Sequence, residues 1–239
     1  MKMTEKKYIA RRFYQEVNVI KLERGFAVEL DGRLVRTPLG QPQILTSKDL
    51  AIAIAHEWAS QEKVIVPETM PLTGYANSSI DRIEKNRESI LKEILNFAET
   101  DLLCYRANEP IDLVSRQNSH WQPLLDWAAD TMKIKLKVTT GILHIKQPLR
   151  AIDTLAKLLR GKNDMELAGI ISLTTACGSI ILALALAKGR IDIKEALVCT
   201  QLEQIYQNER WGVDEETRIR QVSLETEIAT ATKFLSLLR

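Results

Sequence analysis

Leu167-Ala168-Gly169-Ile170-Ile171-Ser172-Leu173-Thr174-Thr175-Ala176-Cys177-Gly178-Ser179-Ile180-Ile181-Leu182-Ala183-Leu184-Ala185-Leu186-Ala187 decides how this chain is read. It carries no charge between Glu166 and Lys188, and a membrane span needs only about 20 such residues. Its middle holds Ser172, Thr174, Thr175, Ser179 and Gly178. No Trp or Tyr marks either end, where an interfacial belt would place them. The stretch therefore reads as the central helix of a helical domain, apolar all round because other helices enclose it. No stable membrane insertion is expected, and small residues let the neighbouring helices come close.

Outward from this helix the chain is ordinary in composition. It has 239 residues, 45% hydrophobic and 27% charged, enough for a full core without covalent staples. A formal net charge of +2 gives no reason to expect nucleic acid as a partner. Cys104, Cys177 and Cys199 are too scattered for a disulfide framework and suit a reducing compartment. The basic stretch Met1 to Phe13 lacks the apolar run of a secretory signal. A bacterial cytoplasmic protein is expected, or a mitochondrial matrix protein already trimmed.

The first third reads as strands and turns. Val17–Ile20 and Phe26–Leu30 are strand-like, and Asp31-Gly32 before Arg33–Arg36 is a hairpin signal. Gln43–Leu45 and Val64–Val66 read as further short strands. Ser47 caps a helix running to about Glu62. This makes a small mixed α/β module with an antiparallel hairpin, residues 1–66 and in its core about 8–66.

Residues 67–239 read as mainly helical, an orthogonal bundle, so the whole is an α+β chain. Leu72 to Ile83 is expected as one helix, and Ile83, Ile90, Leu91, Ile94, Leu95 and Ala98 line the next. Pro110 opens a helix that Pro123 should break or kink. Pro148 opens another, with Ile152, Leu155, Leu158 and Leu159 inward. Asp192 and Glu195 form a capping box for a helix using Leu197, Val198, Leu202 and Ile205. The last helix starts near Asp214 and uses Ile228, Ala231, Leu235 and Leu238.

The common fingerprints of catalysis are missing. The three histidines, His56, His120 and His144, form no metal-binding pair, and there is no Cys-x-x-Cys, phosphate loop, dinucleotide loop or nucleophile elbow. No cofactor and no metal are expected, and the chain is read as not an enzyme. The alternative is a small-molecule enzyme with a non-local site around Cys104, His120 and Asp126. His56 beside Glu57 reads as a helix-surface pair, since adjacent helical residues do not face each other. Asp101 and Arg106 either pair with each other or cap nearby backbone groups. Asp214, Glu215 and Glu216 suit the positive end of the last helix, and they equally suit a basic patch on a partner. Trp211 beside them is either an interface anchor or the closure of the preceding helix.

Several stretches, in order, carry a resemblance. They are Arg12-Phe13-Tyr14 with Val17, Gly25-Phe26-Ala27-Val28 with Leu30-Asp31-Gly32-Arg33, and Arg36-Thr37-Pro38. Then follow Glu57-Trp58, Met70-Pro71-Leu72-Thr73, Ala76-Asn77 with Ile80-Asp81, and Asp101-Leu102-Leu103-Cys104-Tyr105-Arg106. Trp121, Pro123-Leu124-Leu125-Asp126-Trp127 and Trp211-Gly212 complete the series. Together they resemble the assembly chaperones of the F1 sector of ATP synthase, in the branch that holds the α subunit before it meets β. The resemblance implies a small α/β module followed by a larger helical part, a non-catalytic role, and the unassembled F1 α subunit as partner. It also ties acidic positions near the start of the last helix to function. Here those are Glu215, with Glu216 and Asp214 beside it.

Overall fold

The computed structural model describes residues 10–141 and 143–239. Most of the basic N-terminal stretch, and the first two residues of the expected 8–66 module, lie outside the described residues. The chain divides into two units. One ends at Lys85 and takes in Leu237–Arg239, and the other is Asn86–Ser236. The sequence reading parts the chain at 66/67 instead.

In the first unit, β1 (Val17–Leu22) pairs antiparallel with β2 (Gly25–Leu30), and β2 pairs with β3 (Arg33–Leu34). Asp31 and Gly32, at φ +48° and +75°, make the tight turn that the sequence announces, since both central positions of such a turn need positive φ. Gly25 is required for a different reason: a Cβ there would lie 2.3 Å from the Leu45 carbonyl oxygen. The two further expected strands reduce to single bridges, Leu45 to Phe26 and Val64 to Arg11. Pro42 and Pro67 flank those segments and donate nothing to a ladder.

Ser47 caps α1 (Lys48–Ala59) by accepting from the Asp49 and Leu50 amides. The buried face of α1, with Leu50, Ala51 and Ile54, packs on the sheet that carries buried Ala27, Val28 and Leu30. The expected single helix over 72–83 is two pieces. Regular α2 (Pro71–Ser78) gives way to a widened π turn at Ser79–Ile83. The widening accompanies side-chain ties to the loop after β3. Asp81 accepts from the Thr37 hydroxyl at 2.7 Å and from the Leu39 amide at 3.1 Å, and Gln43 donates to Asn77 at 2.8 Å.

The second unit holds α3 (Arg87–Glu99), α4 (Ile111–Met132), α5 (Leu149–Arg160), α6 (Asp164–Cys177), α7 (Ile180–Ala187), α8 (Ile193–Thr200), α9 (Leu202–Trp211) and α10 (Glu215–Ser236). A short parallel pair, β4 (Tyr105–Arg106) and β5 (Thr139–Thr140), ties the segments between α3 and α5. α4 runs through Pro123 without the expected break. Pro123 and Ser119 are both exposed, so the carbonyl that loses its partner is left on the solvated face. Leu155 and Leu159 are buried on α5 as expected, while Ile152 and Leu158 are half-buried.

The stretch expected as one central helix is two, α6 and α7, parted at Gly178 and Ser179. Gly178 stands at φ +63°, and Ser179 starts α7 by accepting from the Leu182 amide. A left-handed glycine followed by a hydroxyl cap is a stop and a restart within two residues. α7 is enclosed, as the lack of charge implies, and α6 is enclosed except along Ile171, Ser172, Thr175 and Ala176, where Thr175 is exposed: α6 packs on α3, α7, α8 and α10, and α7 on α3, α4, α8 and α10. Gly169 allows the closest approach, since a Cβ there would fall 2.5 Å from Cγ of Leu235 on α10. Among the described residues, no helix is long and apolar enough to cross a membrane. The helix expected from Asp192 onward breaks at Gln201, leaving Val198 exposed. Leu238 falls beyond the end of α10.

The architecture is thus a mixed α+β fold, with a small antiparallel sheet near the N-terminus and a helical remainder.

Candidate functional site

α10 changes character along its length. Ile228, Ala231, Phe234 and Leu235 are buried, as their spacing predicts. The first half of the helix, from Glu215 to Glu227, has no buried residue. Glu215, Ile219, Val222 and Thr226 recur at intervals of four, three and four, so they share one side of the helix. Ile219 is 61% exposed and Val222 60%. The side is therefore an apolar stripe with a carboxylate at its head.

Asp214 caps this half-helix. Its carboxylate accepts from the Thr217 amide at 2.6 Å. Hydrogen bonding to Thr217 holds the Asp214 carboxyl below the usual carboxylate range, so it stays charged at the positive helix end. Glu215 lies 3.8 Å from Arg218, and Glu216 2.9 Å from Arg220, both on one helix surface and both well exposed. The sequence pointed to these three acids together. The structure keeps them together, with Asp214 turned to its own helix while Glu215 and Glu216 are largely solvated.

Trp211 ends α9 and is 77% exposed. It does not close its helix against the core. What holds the end of α9 is its neighbour, Arg210. The Arg210 guanidinium stacks 3.5 Å from the Tyr206 ring centroid and donates to Asp112 on α4 at 2.6 Å. Tyr206 donates its hydroxyl to the same carboxylate at 2.7 Å. Those bonds, the tyrosine's first, hold the Asp112 carboxyl below its ordinary range. Arg116 and Glu209 add a second bridge at 2.8 Å between α4 and α9. The chain neighbours of the Asp112–Arg210 pair are Ile111 and Trp211, both strongly exposed. Residues so far apart in sequence leave no local signal, and sequence reading missed this cluster.

The alternative constellation of Cys104, His120 and Asp126 does not present an exposed thiol. Cys104 is fully buried, whereas His120 and Asp126 are exposed on α4. Burial pushes the Cys104 thiol well up, with Asp101 adding to the shift. An activated nucleophile needs the reverse. Asp101 and Arg106 do not pair with each other in the hydrogen bonds they make. Asp101 accepts from the Leu103 amide, the Ser179 hydroxyl and the Ile181 amide, and so pins the start of α7. Desolvation raises its carboxyl to about 6. Arg106 donates to the Leu103 carbonyl, Asn118 and Gln122. Among the described residues, no group of His, Cys, Asp and Glu is placed to hold a metal ion.

Glu57, read from sequence as half of a surface pair, has another part. Its carboxylate accepts from the Leu72 and Thr73 amides, both at 2.8 Å, and from the Thr73 hydroxyl at 2.7 Å. It is a cap supplied to α2 from α1. Two of the quoted stretches, Glu57-Trp58 and Met70-Pro71-Leu72-Thr73, meet through it.

The chain, with its small sheet module and helical remainder, is similar to known proteins along nearly its whole length. The crystal structure of Atp12 from Paracoccus denitrificans superposes with a TM-score of 0.93 at 37% identity, over 96% of this chain and 99% of that one. Protein atp12, mitochondrial, of Schizosaccharomyces pombe is 27% identical over 84% of this chain and 74% of its own length. Protein ATP12, mitochondrial, of Saccharomyces cerevisiae is 24% identical over 87% and 78%. The family described as ATP12 chaperone protein matches residues 11–129. The class these likenesses define is that of the assembly chaperones of ATP synthase. The chain belongs to the ATP12 chaperone family.

Proposed function

We propose that this protein binds the unassembled F1 α subunit and covers the face that β later takes. The observation that carries the reading is the unburied half of α10, where Ile219 and Val222 follow Glu215 along one side and Trp211 stands exposed just before it. Free subunits of a hexamer expose apolar surface that invites aggregation. A partner with a modest apolar stripe, a charged head and an aromatic anchor can cover such a surface and still release it. The reading needs no bond chemistry. It fits a thiol that burial deactivates and acids engaged in capping and surface pairs.

Co-expression with isolated F1 α and F1 β tests it. The α subunit should stay soluble and co-purify, and β should not. Glu215→Lys should leave the far-UV circular dichroism unchanged apart from fraying of the first turn of α10, and weaken capture of α. Full suppression of α aggregation by that variant would remove Glu215 from the binding surface. Failure of the wild-type chain to retain α would end the proposal.

A further inference from the structure

A second surface lies away from the start of α10, on the same unit. Beyond the end of α4 the chain runs through Lys133, Ile134, Lys135, Leu136 and Lys137. Ile134 and Leu136 are buried while Lys133, Lys135 and Lys137 are exposed. The alternation sends the lysines to one side. They line a groove of about 790 Å³ together with Asp126, Ala129 and Asp130 of α4 and Pro148, Arg150 and Ala151 at the start of α5.

The charges in this groove are arranged at a cost. Arg150 is the second residue of α5, whose first turn holds no acid and whose cap residue, Pro148, offers no side-chain bond. A cation at the positive end of a helix destabilises it. Among the described residues, no carboxylate pairs with Lys135, Lys137 or Arg150. Lys133 is engaged with the Asp130 carbonyl at 2.8 Å. Lys135, Lys137 and Arg150 have no ion pair among the described residues, and Arg150 does not suit the helix end it occupies; this is a local conflict, of the kind that marks a functional surface. Asp126 and Asp130 line the same groove.

We propose that this groove docks an acidic, extended peptide segment of a protein partner. Carboxylates two residues apart in such a segment would meet Lys135 and Lys137. Side chains at i and i+2 of an extended chain lie about 6.8 Å apart on one face, and those between point the other way. An extended peptide can thus present acids to the lysines and neutral groups to Asp126 and Asp130. A phosphate backbone is negative on every side and would meet the two aspartates as well. Val138 and Leu149, next in chain to groove residues, are exposed and apolar, which suits contact with a protein better than with the more polar face of a nucleic acid. The inference stands apart from the α10 surface.

The test uses the full chain and a fluorescein-labelled decapeptide of alternating Glu and Ser. Fluorescence anisotropy should show binding that weakens as salt rises. An alternating Gln and Ser peptide should not bind. Lys135→Glu with Lys137→Glu should weaken binding of the acidic peptide at least about tenfold. Arg150→Glu should also weaken it, while raising Tm by about 1–4 °C because the helix end is relieved. Glu215→Lys should leave peptide binding unchanged. Wild-type affinity in the double lysine variant overturns the proposal, as does equal binding of the neutral peptide. Tighter binding of oligothymidylate, or of phosphatidylserine vesicles, than of the acidic peptide overturns it too.

Discussion

Replacing Glu57 isolates the part of the fold that joins two of the most recognisable stretches of the sequence. The Glu57 carboxylate takes three hydrogen bonds from the start of α2, two of them from backbone amides that begin a helix with no capping side chain of its own. In Glu57→Ala the Leu72 and Thr73 amides lose their acceptor. Loss of an ordinary cap costs about 0.5–2 kcal/mol. Hydrogen bonds to a charged group contribute about 1.5–3 kcal/mol each, but their loss overlaps because water enters the gap. A total of about 2–4 kcal/mol follows from the two scales together. Glu57→Gln retains one acceptor oxygen and turns an amide N–H toward the remaining donor, so about half that cost is expected. Urea titrations followed by circular dichroism give the free energies, and amide exchange at Leu72 and Thr73 reports the helix end itself. A Glu57→Ala variant within about 0.5 kcal/mol of wild type, with both amides still protected, would refute the cap.

Further tests address the helical unit. At Gly169, a Cβ would lie 2.5 Å from Leu235 Cγ, and overpacking of that order costs about 1–3 kcal/mol against the roughly 0.5–1 kcal/mol gained when glycine leaves a helix. Gly169→Val should therefore destabilise, and adding Leu235→Ala should recover part of the loss in a double-mutant cycle. Asp101, raised to about 6 from 3.8, holds its proton more tightly in the native state than in the unfolded one. Its contribution to stability thus falls as pH climbs between about 4 and 6, by at most about 3 kcal/mol, and is flat above that window. Asp101→Asn removes this dependence and, by turning an amide toward donors at the start of α7, lowers stability at pH 7 by about 1–3 kcal/mol. The difference between the two pH–stability curves is the measurement, and parallel curves would contradict the assignment.

What could be read from sequence was what is encoded within a few residues. Asp31-Gly32 specifies its turn by backbone sterics, and Asp192 with Glu195 forms the expected capping box, each donor and acceptor three residues apart. The lack of charge over 167–187 correctly implied an enclosed segment. It did not reveal the break at Gly178-Ser179, because a stretch apolar almost all round lacks the periodicity that would mark two helices. Pro123 was expected to break or kink α4, and the helix is not broken there; sequence does not tell which face of a helix is solvated. The cap at Glu57 and the Asp112–Tyr206–Arg210 cluster escaped notice for one reason: both join residues that only tertiary packing brings together. At the candidate surface, the acids were legible as a helix start. The unburied stripe behind them was less so, because Ile219 and Val222 continue an apolar spacing that turns inward only at Ile228.

That unburied half-helix explains why charge reversal at Glu215 must be read with care. Most helices in proteins owe their stability to packing of one face, and the first half of α10 has no buried face. It is held instead by continuity with the packed half, by the Asp214 cap, and by the Glu215–Arg218 and Glu216–Arg220 pairs. The charges that present the surface are therefore also charges that keep it helical. Lysine at 215 faces Arg218 and the positive helix end, so Glu215→Lys combines an altered surface with a frayed first turn. Glu215→Gln removes the charge while leaving a good helix former in place. If the carboxylate itself meets the partner, Glu215→Gln should weaken capture of F1 α nearly as much as Glu215→Lys, with α10 amides still protected from exchange. If Glu215 matters only by holding the helix, Glu215→Gln should capture normally, and Asp214→Ala, which removes the cap and leaves Glu215 untouched, should be the more damaging change.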